Sequence, residues 1–287
     1  MVELRPVRRE EQRMKVHHFN CGTMHPPGGR LLDGRPGLLR RSEIVAHCLL
    51  VETANALVLV DTGFGTRGVT EPRRWLGGPF LTMVGGRPAE EETAVAQIRA
   101  LGHDPADVRH IVMTHLDVDH AGGLADFPDA TVHVRTTERR AAANPKNYQE
   151  KARYRAVQFA HSPLWSTYDE AGETWFGFEA VRPLRGLPPE ILLVPLPGHT
   201  HGHAGVAVDT GDGWLLHAGD AYFFHGEVAP VHPHCPPGMR AFEVLNQMDG
   251  RTRRTNLARL RTLARDHPDE VTVFSAHSQT EFQALRR

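Results

Sequence analysis

One stretch of the sequence decides how the rest is interpreted, and it reads Thr114-His115-Leu116-Asp117-Val118-Asp119-His120-Ala121-Gly122-Gly123. The apolar run just before it, 111–113, is typical of a buried strand. Within a span of six residues, the stretch then places side chains that can bind a metal ion: His115, Asp117, Asp119 and His120. A strand that ends in imidazoles and carboxylates indicates the beginning of a metal site. We therefore expect other parts of the chain to supply the missing ligands.

Length and composition are those of a globular protein with a substantial core. The chain has 287 residues, of which 40% are hydrophobic and 23% are charged, and this predicts a single domain over residues 1–287. The formal net charge of −1 gives no general attraction to nucleic acid or to anionic lipid. The unusual count is 19 histidines. It favours a metalloenzyme, because imidazole is the commonest metal ligand and a frequent general base.

The cysteines and the amino-terminal segment indicate the compartment. Three cysteines, Cys21, Cys48 and Cys235, do not make a disulfide framework in a chain of this length. The segment 1–15 is charged and lacks the apolar core of a secretory signal. No apolar run is long enough to span a membrane. We expect a cytoplasmic protein without nucleic-acid or membrane partners, and a homodimer stays open.

Strand and helix patterns predict two similar halves. Each half begins with strands, continues with helices and contributes polar residues at its strand ends. The predicted strands are 16–19, 44–52, 56–60, 111–113, 130–134, 179–184, 191–195, 204–209, 214–216 and 271–275. The predicted helices are 90–101, 240–248 and 252–266. Residues 68–87 are predicted to form a long surface loop.

Residues 138–177 differ in character from the segments around them. They are polar, rich in arginine and aromatic residues, and carry little strand signal. We predict a mainly helical insertion here. It either covers a site or is a peripheral addition, and the sequence favours neither.

Four strand ends, far apart in the sequence, each deliver groups that can bind a metal. They are the opening stretch, His199 in 197–203, Asp220 after 214–216, and His277 after 271–275. A single histidine after a strand is usually a surface or core residue, but four such ends in one chain indicate a shared site. Nitrogen and carboxylate ligands suit zinc, manganese or iron. Seven candidate ligands are too many for one tetrahedral ion with an open position, so two ions that share a carboxylate are expected.

These residues also carry a family resemblance. Asp61 lies in Leu-Val-Asp-Thr-Gly, and it is followed in order by Thr-His-x-x-x-Asp-His-Ala-Gly-Gly, Pro-Gly-His-Thr-x-Gly-His, Ala-Gly-Asp at Asp220, and His277. The set resembles the metallo-β-lactamase superfamily over residues 44–277. The resemblance implies an α/β fold, an αββα four-layer sandwich with the metal site at the sheet edge. The chain is most similar to the lactonase and glyoxalase II-like hydrolase branches.

The resemblance also implies which residues hold the metal ions. The ligands of the first ion would be His115, Asp117 and His199. The ligands of the second ion would be Asp119, His120 and His277. Asp220 would bridge the two ions, and Asp61 would orient a ligand imidazole. His203 suits packing better than ligation.

Catalytic roles follow from the same resemblance. Asp119 or Asp220 would take or pass the proton, and Tyr222 would contact the substrate oxyanion. The spacing from Asp220 to Tyr222 is one residue shorter than in the lactonase branch, and a place in the core is the alternative for this tyrosine. The aromatic loop 223–235 is the candidate substrate wall, and a place in the core is the alternative for its phenylalanines as well.

The sequence departs from the family pattern at position 117. The usual motif is His-x-His-x-Asp-His, whereas this chain has Asp117 in place of the second histidine. A carboxylate adds negative charge and weakens the preference for zinc over iron or manganese. The alternative is that Asp117 is no ligand and that the first metal site is weak or empty. The flavodiiron branch carries a glutamate here, which keeps a redox function open, although this chain shows no flavin-binding domain.

The function predicted from these observations is metal-dependent hydrolysis. Two divalent ions, zinc first and manganese or iron as alternatives, would hold a bridging hydroxide that attacks a small ester, lactone or thioester. The alternatives are a di-iron oxidoreductase, a phosphodiesterase or ribonuclease of the same superfamily, and a metal-binding sensor without turnover. A small-molecule substrate is the expected partner.

Overall fold

Twelve strands form the framework of the part of the chain that the structure describes, which is residues 13–169, 172–180 and 184–286 of a computed structural model. In chain order they are β1 (Lys15–Met24), β2 (Ile44–Glu52), β3 (Leu57–Val60), β4 (Val108–Val112), β5 (Thr131–Arg135), β6 (Leu164–Tyr168), β7 (Glu173–Trp175), β8 (Phe178–Ala180), β9 (Ile191–Pro195), β10 (Ala204–Asp209), β11 (Trp214–His217) and β12 (Val271–Phe274). Each strand predicted from the sequence has a counterpart among them. The predicted strand 179–184 runs into residues 181–183, and most of the charged segment 1–15 precedes residue 13, so both lie partly outside the described residues.

Nine α-helices lie among the described residues. They are α1 (Arg30–Asp33), α2 (Gly65–Thr70), α3 (Gly78–Val84), α4 (Ala94–Ala100), α5 (Thr136–Ala143), α6 (Tyr148–Arg153), α7 (Pro237–Asn246), α8 (Gly250–Asp266) and α9 (Gln279–Leu285). The three predicted helices correspond to α4, α7 and α8. None of the described helices combines the length and the apolar character needed to cross a membrane.

The prediction of a surface loop at 68–87 is wrong. The second half of α2, a π-helical turn at Arg73–Gly77 and α3 occupy this segment, and the Trp75 side chain is buried. Its glycines and prolines mark helix boundaries and not an irregular loop. Pro79 lies in the first turn of α3, and Gly85 ends that helix with a φ of 59°.

The strands form two main sheets and a small one. The larger sheet has the order β1-β2-β3-β4-β5-β6, in which β1 to β3 pair antiparallel and β3 to β6 pair parallel. The second sheet has the order β12-β11-β10-β9, with β11 parallel to β12 and the other pairs antiparallel. β7 and β8 form the small sheet. Parallel neighbours end at the same edge of a sheet, so the residues that follow them are brought together.

Successive side chains of a strand point to opposite faces of its sheet, and this alternation divides the buried strand residues among three hydrophobic cores. Val58 of β3 packs with Leu193 of β9 in a core between the two main sheets. The next residue, Leu59, faces the other side of the larger sheet and shares a core with Ile98 of α4. Leu192 of β9 likewise faces outward, into a core that includes the buried face of α8. Helices therefore cover the outer face of each sheet, and the predicted αββα sandwich is confirmed.

Residues 138–177 are helical only in their first half. α5 and α6 cover that half, but β6 is the edge strand of the larger sheet and pairs in parallel with β5. The prediction of a mainly helical insertion is therefore wrong for the second half. An edge strand has one partner and needs few apolar residues, and Leu164 of β6 is in fact exposed. This explains the weak strand signal, and the extent of the domain, 1–287, stays a prediction.

Candidate metal centre

The topology brings the predicted strand ends to one place. Asp61 follows β3 and His115 follows β4, and these two strands run parallel. Asp220 follows β11 and His277 follows β12, which are also parallel. His199 lies in the loop between β9 and β10. All seven predicted metal ligands fall into two groups, and the ligand atoms within each group lie within 4.8 Å of one another.

The two groups meet at one carboxylate. The first cluster consists of His115, Asp117, His199 and Asp220. The second cluster consists of Asp119, His120 and His277. Asp220 Oδ2 lies 3.3 Å from His199 Nε2, and Asp220 Oδ1 lies 3.2 Å from His277 Nε2. A carboxylate placed between two groups of donors can bridge two ions.

The second cluster is arranged to hold a cation. His120 Nδ1 donates to Asp61 Oδ2 at 2.8 Å, and His277 Nδ1 donates to the Val45 carbonyl at 2.7 Å. In the neutral imidazoles both Nε2 atoms therefore present lone pairs, and they lie 3.4 Å apart. Asp220 Oδ1, at 3.3 Å from His120 Nε2, has no hydrogen-bond partner among the described residues. Converging acceptors need a positive charge between them, so the residues present fit a metal ion.

The electrostatics of the second cluster also favour positive charge. Burial opposes a charge on His120, but the carboxylates of Asp220 and Asp61 raise its pKa well above the usual value. Burial likewise opposes a charge on His277, and Asp220 again raises the pKa. The same carboxylates would stabilise a divalent ion at this position.

The first cluster offers two imidazoles and two carboxylates. His115 Nε2 lies 3.5 Å from Asp117 Oδ2 and 3.7 Å from Asp220 Oδ2, and it has no hydrogen-bond partner among the described residues. His199 Nε2 lies 3.0 Å from Asp117 Oδ2. Burial, and then the charge of Arg153, lower the pKa of His199 to about 4, so the imidazole is neutral at pH 7. A neutral imidazole is the form that binds a metal.

Arg153, at the end of α6, is a site residue that the sequence did not indicate. Its Nη1 lies 2.5 Å from Asp117 Oδ2 and 2.9 Å from His199 Nε2, and its Nη2 donates to the Asn246 carbonyl. Burial would raise the pKa of Asp117, but the guanidinium charge holds it well below the usual value. Because α6 lies within 138–177, this segment contributes directly to the site. No motif or local spacing could have identified the contact.

Asp61 connects the ends of β3 and β4. Its carboxylate accepts hydrogen bonds from the Thr114 backbone N–H at 2.8 Å and from the Thr114 hydroxyl at 2.7 Å, in addition to that from His120 Nδ1. The residue is buried and has a φ of 55°, which Asp adopts more readily than most residues. Its position agrees with the predicted role of orienting a ligand imidazole.

Glu138, in α5, is a second residue that the sequence did not indicate. It is buried and accepts hydrogen bonds from the Leu116 backbone N–H at 3.0 Å and from the Thr200 hydroxyl at 2.6 Å. Each partner is adjacent in sequence to a ligand of the first cluster. Glu138 therefore ties the loop after β4 to the loop after β9.

Tyr222 is not brought to the site. Its side chain is fully buried in the core beside α8, and its hydroxyl donates to Glu281 Oε1 at 2.8 Å. This placement contradicts the predicted contact with a substrate oxyanion and agrees with the alternative of a core residue. His203 packs beneath the site: its Nδ1 donates to the Leu196 carbonyl, and its Nε2 accepts the Asp220 backbone N–H, both at 2.8 Å.

A cavity of about 440 Å³ opens beside both clusters. Its polar wall includes Asp117, Asp119, Arg153, His199, Asp220 and His277. Most of the remaining wall is apolar and includes Met24, Ile44, Phe80, Val84, Phe223 and Phe242. The Phe223 ring stacks on His277 with 4.9 Å between the ring centroids. The predicted substrate wall at 223–235 thus contributes Phe223, and the cavity can receive a small, partly apolar molecule.

Comparison with known proteins agrees with this geometry. The family model of the metallo-beta-lactamase superfamily matches residues 42–277. A probable metallo-hydrolase of Mycobacterium tuberculosis is 43% identical over 275 residues, which cover 95% of this chain and 83% of the relative. An N-acyl homoserine lactonase from a Bacillus species is 27% identical over 203 residues, covering 69% of this chain and 67% of the relative.

A solved structure has the same fold. It is an N-acyl homoserine lactone hydrolase with the product N-hexanoyl-L-homoserine bound at its catalytic metal centre, and it superposes with a TM-score of 0.68 at 20% identity. The superposition covers 96% of this chain and 97% of the neighbour. The family predicted from the motifs is confirmed: the chain belongs to the metallo-beta-lactamase superfamily, as a metallo-hydrolase.

Proposed function

We propose that the chain hydrolyses a small ester, lactone or thioester with two divalent metal ions, zinc in the first instance, bound at the two clusters. The observation that carries this proposal is the position of Asp220, whose carboxylate lies between the two groups of metal-competent donors, 3.3 Å from His199 Nε2 in the first and 3.2 Å from His277 Nε2 in the second. His115 Nε2 and Asp220 Oδ1 are buried and lack hydrogen-bond partners among the described residues, as expected of atoms reserved for an ion.

The cavity supports a substrate with an apolar part. Its wall is mainly apolar apart from the site residues, and Phe223 and Phe242 pack edge to face, 5.6 Å apart, within it. N-acyl homoserine lactonases are among the relatives, and one structural neighbour holds an N-hexanoyl product at its metal centre. A lactone or ester that carries a short acyl chain is therefore the substrate class that we favour.

The chemistry needs no nucleophilic side chain. Two bound ions would lower the pKa of a water molecule toward neutrality and polarise the substrate carbonyl. Asp119 lies in the cavity wall, where its carboxylate can accept the proton of the attacking water and return it to the leaving oxygen. Cys21 and Cys48 are buried and Cys235 is half-buried, all three as free thiols.

An activity screen with metal analysis tests this function. Purified protein would be assayed on lactones of graded acyl length, aryl esters, thioesters, β-lactams and phosphodiesters, while its zinc, manganese and iron contents are measured. We expect two equivalents of divalent metal and preferential hydrolysis of lactones or esters. Asp220→Asn should reduce kcat/KM by at least ~100-fold, because it weakens the ligand common to both clusters.

The control is Asp212→Asn, since Asp212 pairs with Arg13 on the surface and should leave the rate unchanged. A coloured, redox-active di-iron protein would contradict the hydrolase. Preferential cleavage of phosphodiesters would contradict the substrate class. Full activity in Asp220→Asn would contradict the site itself.

A further inference from the structure

The two clusters differ in what already contacts their ligand atoms. Within the first cluster, Arg153 Nη1 lies 2.9 Å from His199 Nε2 and 2.5 Å from Asp117 Oδ2. The contacts of the described residues place no arginine or lysine beside the ligand atoms of the second cluster. There, His120 and His277 Nε2 face only each other and the carboxylates of the site.

A guanidinium and a metal ion cannot use the same imidazole lone pair. An arginine nitrogen can only donate, so its 2.9 Å contact with His199 Nε2 requires the imidazole tautomer with its proton on Nδ1, and it takes the one lone pair on Nε2. A metal bound in the first cluster requires that same lone pair. Asp117 is less constrained, because its Oδ1 has no hydrogen-bond partner among the described residues and remains available. Metal entry into the first cluster must therefore break the contact between Arg153 and His199.

We propose that Arg153 competes with the metal ion of the first cluster, so that the two clusters load in order, the second cluster first. Arg153 is held for this role by two further contacts, its pairing with Asp117 and the hydrogen bond from Nη2 to the Asn246 carbonyl. The guanidinium also repels a divalent ion at short range, in a buried site where screening by salt is weak. At limiting metal the protein then carries one ion, with Arg153 in contact with His199.

Metal titration of the metal-free protein tests this inference, which rests on the binuclear site of the proposed function but does not depend on turnover. Zinc would be titrated against a competing fluorescent chelator. We expect two steps whose dissociation constants differ by at least ~10-fold, about 1.4 kcal/mol. His115→Ala should abolish the weaker step and His277→Ala the stronger one.

Substitution of the arginine gives the decisive comparison. Arg153→Met should tighten the weaker step by at least ~10-fold and leave the stronger step unchanged, since it removes both the donor and the charge. Arg140→Met is the matched control, because Arg140 lies exposed on the neighbouring helix α5 and its loss should move neither step. The double variant Asp117→His/Arg153→Met leaves no unpaired carboxylate, and it should bind two ions with similar affinity even if the single variant folds poorly.

Three results would overturn the inference. They are equal affinity at both steps in the unmodified protein, an unchanged weaker step in both Arg153→Met and the double variant, and loss of the weaker step in His277→Ala. A protein that loads in order but hydrolyses nothing would instead count against the proposed function alone.

Discussion

Position 117 carries a charge where the family pattern has a neutral imidazole. The sequence alone predicts that Asp117 makes the site more negative. In the structure the guanidinium of Arg153 offsets that charge at 2.5 Å. Asp117 and Arg153 together therefore leave the site with the net charge that a histidine would give. The charge of Asp117 therefore does not weaken a preference for zinc, and only the harder character of its oxygen ligand can do so.

Asp61 is not itself a predicted ligand, so its substitution tests how a residue that contacts a ligand affects zinc affinity. Asp61→Asn preserves shape and tolerance of the positive φ but removes the charge that faces His120 Nδ1. We expect zinc affinity to fall by ~10–100-fold, as for other residues that orient a metal-bound imidazole. Competition with a zinc chelator measures the change. Asp126→Asn, which removes the charge of a carboxylate bonded to the Thr66 backbone N–H, serves as the control. Equal affinity in both variants would assign Asp61 to folding alone.

The residues that could be predicted are those with a local signature. The ligands follow strands in short motifs, so their chemistry is visible in the sequence. Arg153 and Glu138 lie on helices without any motif, and each reaches the site through contacts with residues 22 to 93 positions away. Tyr222 is the opposite case. Its spacing from Asp220, which is close to that of a family motif, led to a predicted contact with the substrate oxyanion, but its side chain is buried in the core.

At the level of elements, the loop after β11 is held by a pair of buried carboxyl groups. Glu227 Oε1 accepts the backbone N–H groups of Phe223 and Phe224, at 3.2 and 3.3 Å. Burial, and then the hydrogen bond and charge of Glu227, raise the pKa of Glu243 in α7 to about 9. The charge of Arg253, whose Nη2 lies 3.2 Å from Glu243 Oε2, opposes this rise of the pKa but does not cancel it. The pair supports the segment from which Phe223 stacks on the site.

This pair predicts a pH dependence of stability. A carboxyl group whose pKa rises from 4.5 in the unfolded chain to about 9 in the fold stabilises the fold most below pH 4.5. That contribution is lost as the pH rises toward 9. We expect the unfolding free energy of the unmodified protein, relative to Glu243→Gln, to fall by at least ~1.4 kcal/mol between pH 5 and pH 9. Urea denaturation of metal-free protein at several pH values gives the difference. A difference that stays constant or grows with pH would show that Glu243 is ionised in the fold.

Strands and helices with a clear hydrophobic pattern could be predicted from the sequence. Elements that form because of their contacts with other parts of the chain could not. β2, β3, β9 and β10 are nearly continuous buried apolar runs, which the sequence displays directly. β6 has a single partner strand and few apolar residues, so its pairing with β5 has no local signal. The helices of segment 68–87 were not predicted for a different reason. Its glycines and prolines, which are typical of loops, lie at the ends of short helices that pack Trp75 into the interior.

For the molecule as a whole, the predicted metal ligands come from both sheets, so bound metal should contribute to stability. His120 and His277 are 157 residues apart and belong to loops of different sheets, yet their Nε2 atoms lie 3.4 Å apart. Zinc that binds only the folded chain should stabilise it by about 2.7 kcal/mol at a free concentration 100 times the dissociation constant. Removal of metal by a chelator should therefore lower the Tm by several degrees.

Differential scanning fluorimetry with and without chelator measures this effect, and re-addition of zinc should restore the original Tm. The variant His277→Ala is the control, because it should start with a lower Tm and respond less to the chelator. A Tm that ignores the chelator in the unmodified protein would contradict a metal site shared by the two sheets.

The division of the predicted ligands between the sheets also has a consequence for folding. A chain in which each sheet has formed but the two have not docked holds only fragments of the second cluster, so it cannot retain an ion tightly. If zinc binds at this cluster, we expect it to bind tightly only after the two sheets have docked, and not to stabilise a half-folded chain. After dilution from denaturant, the rate of zinc uptake should follow the rate at which the two sheets dock. It should not follow the rate of the earlier collapse of the chain.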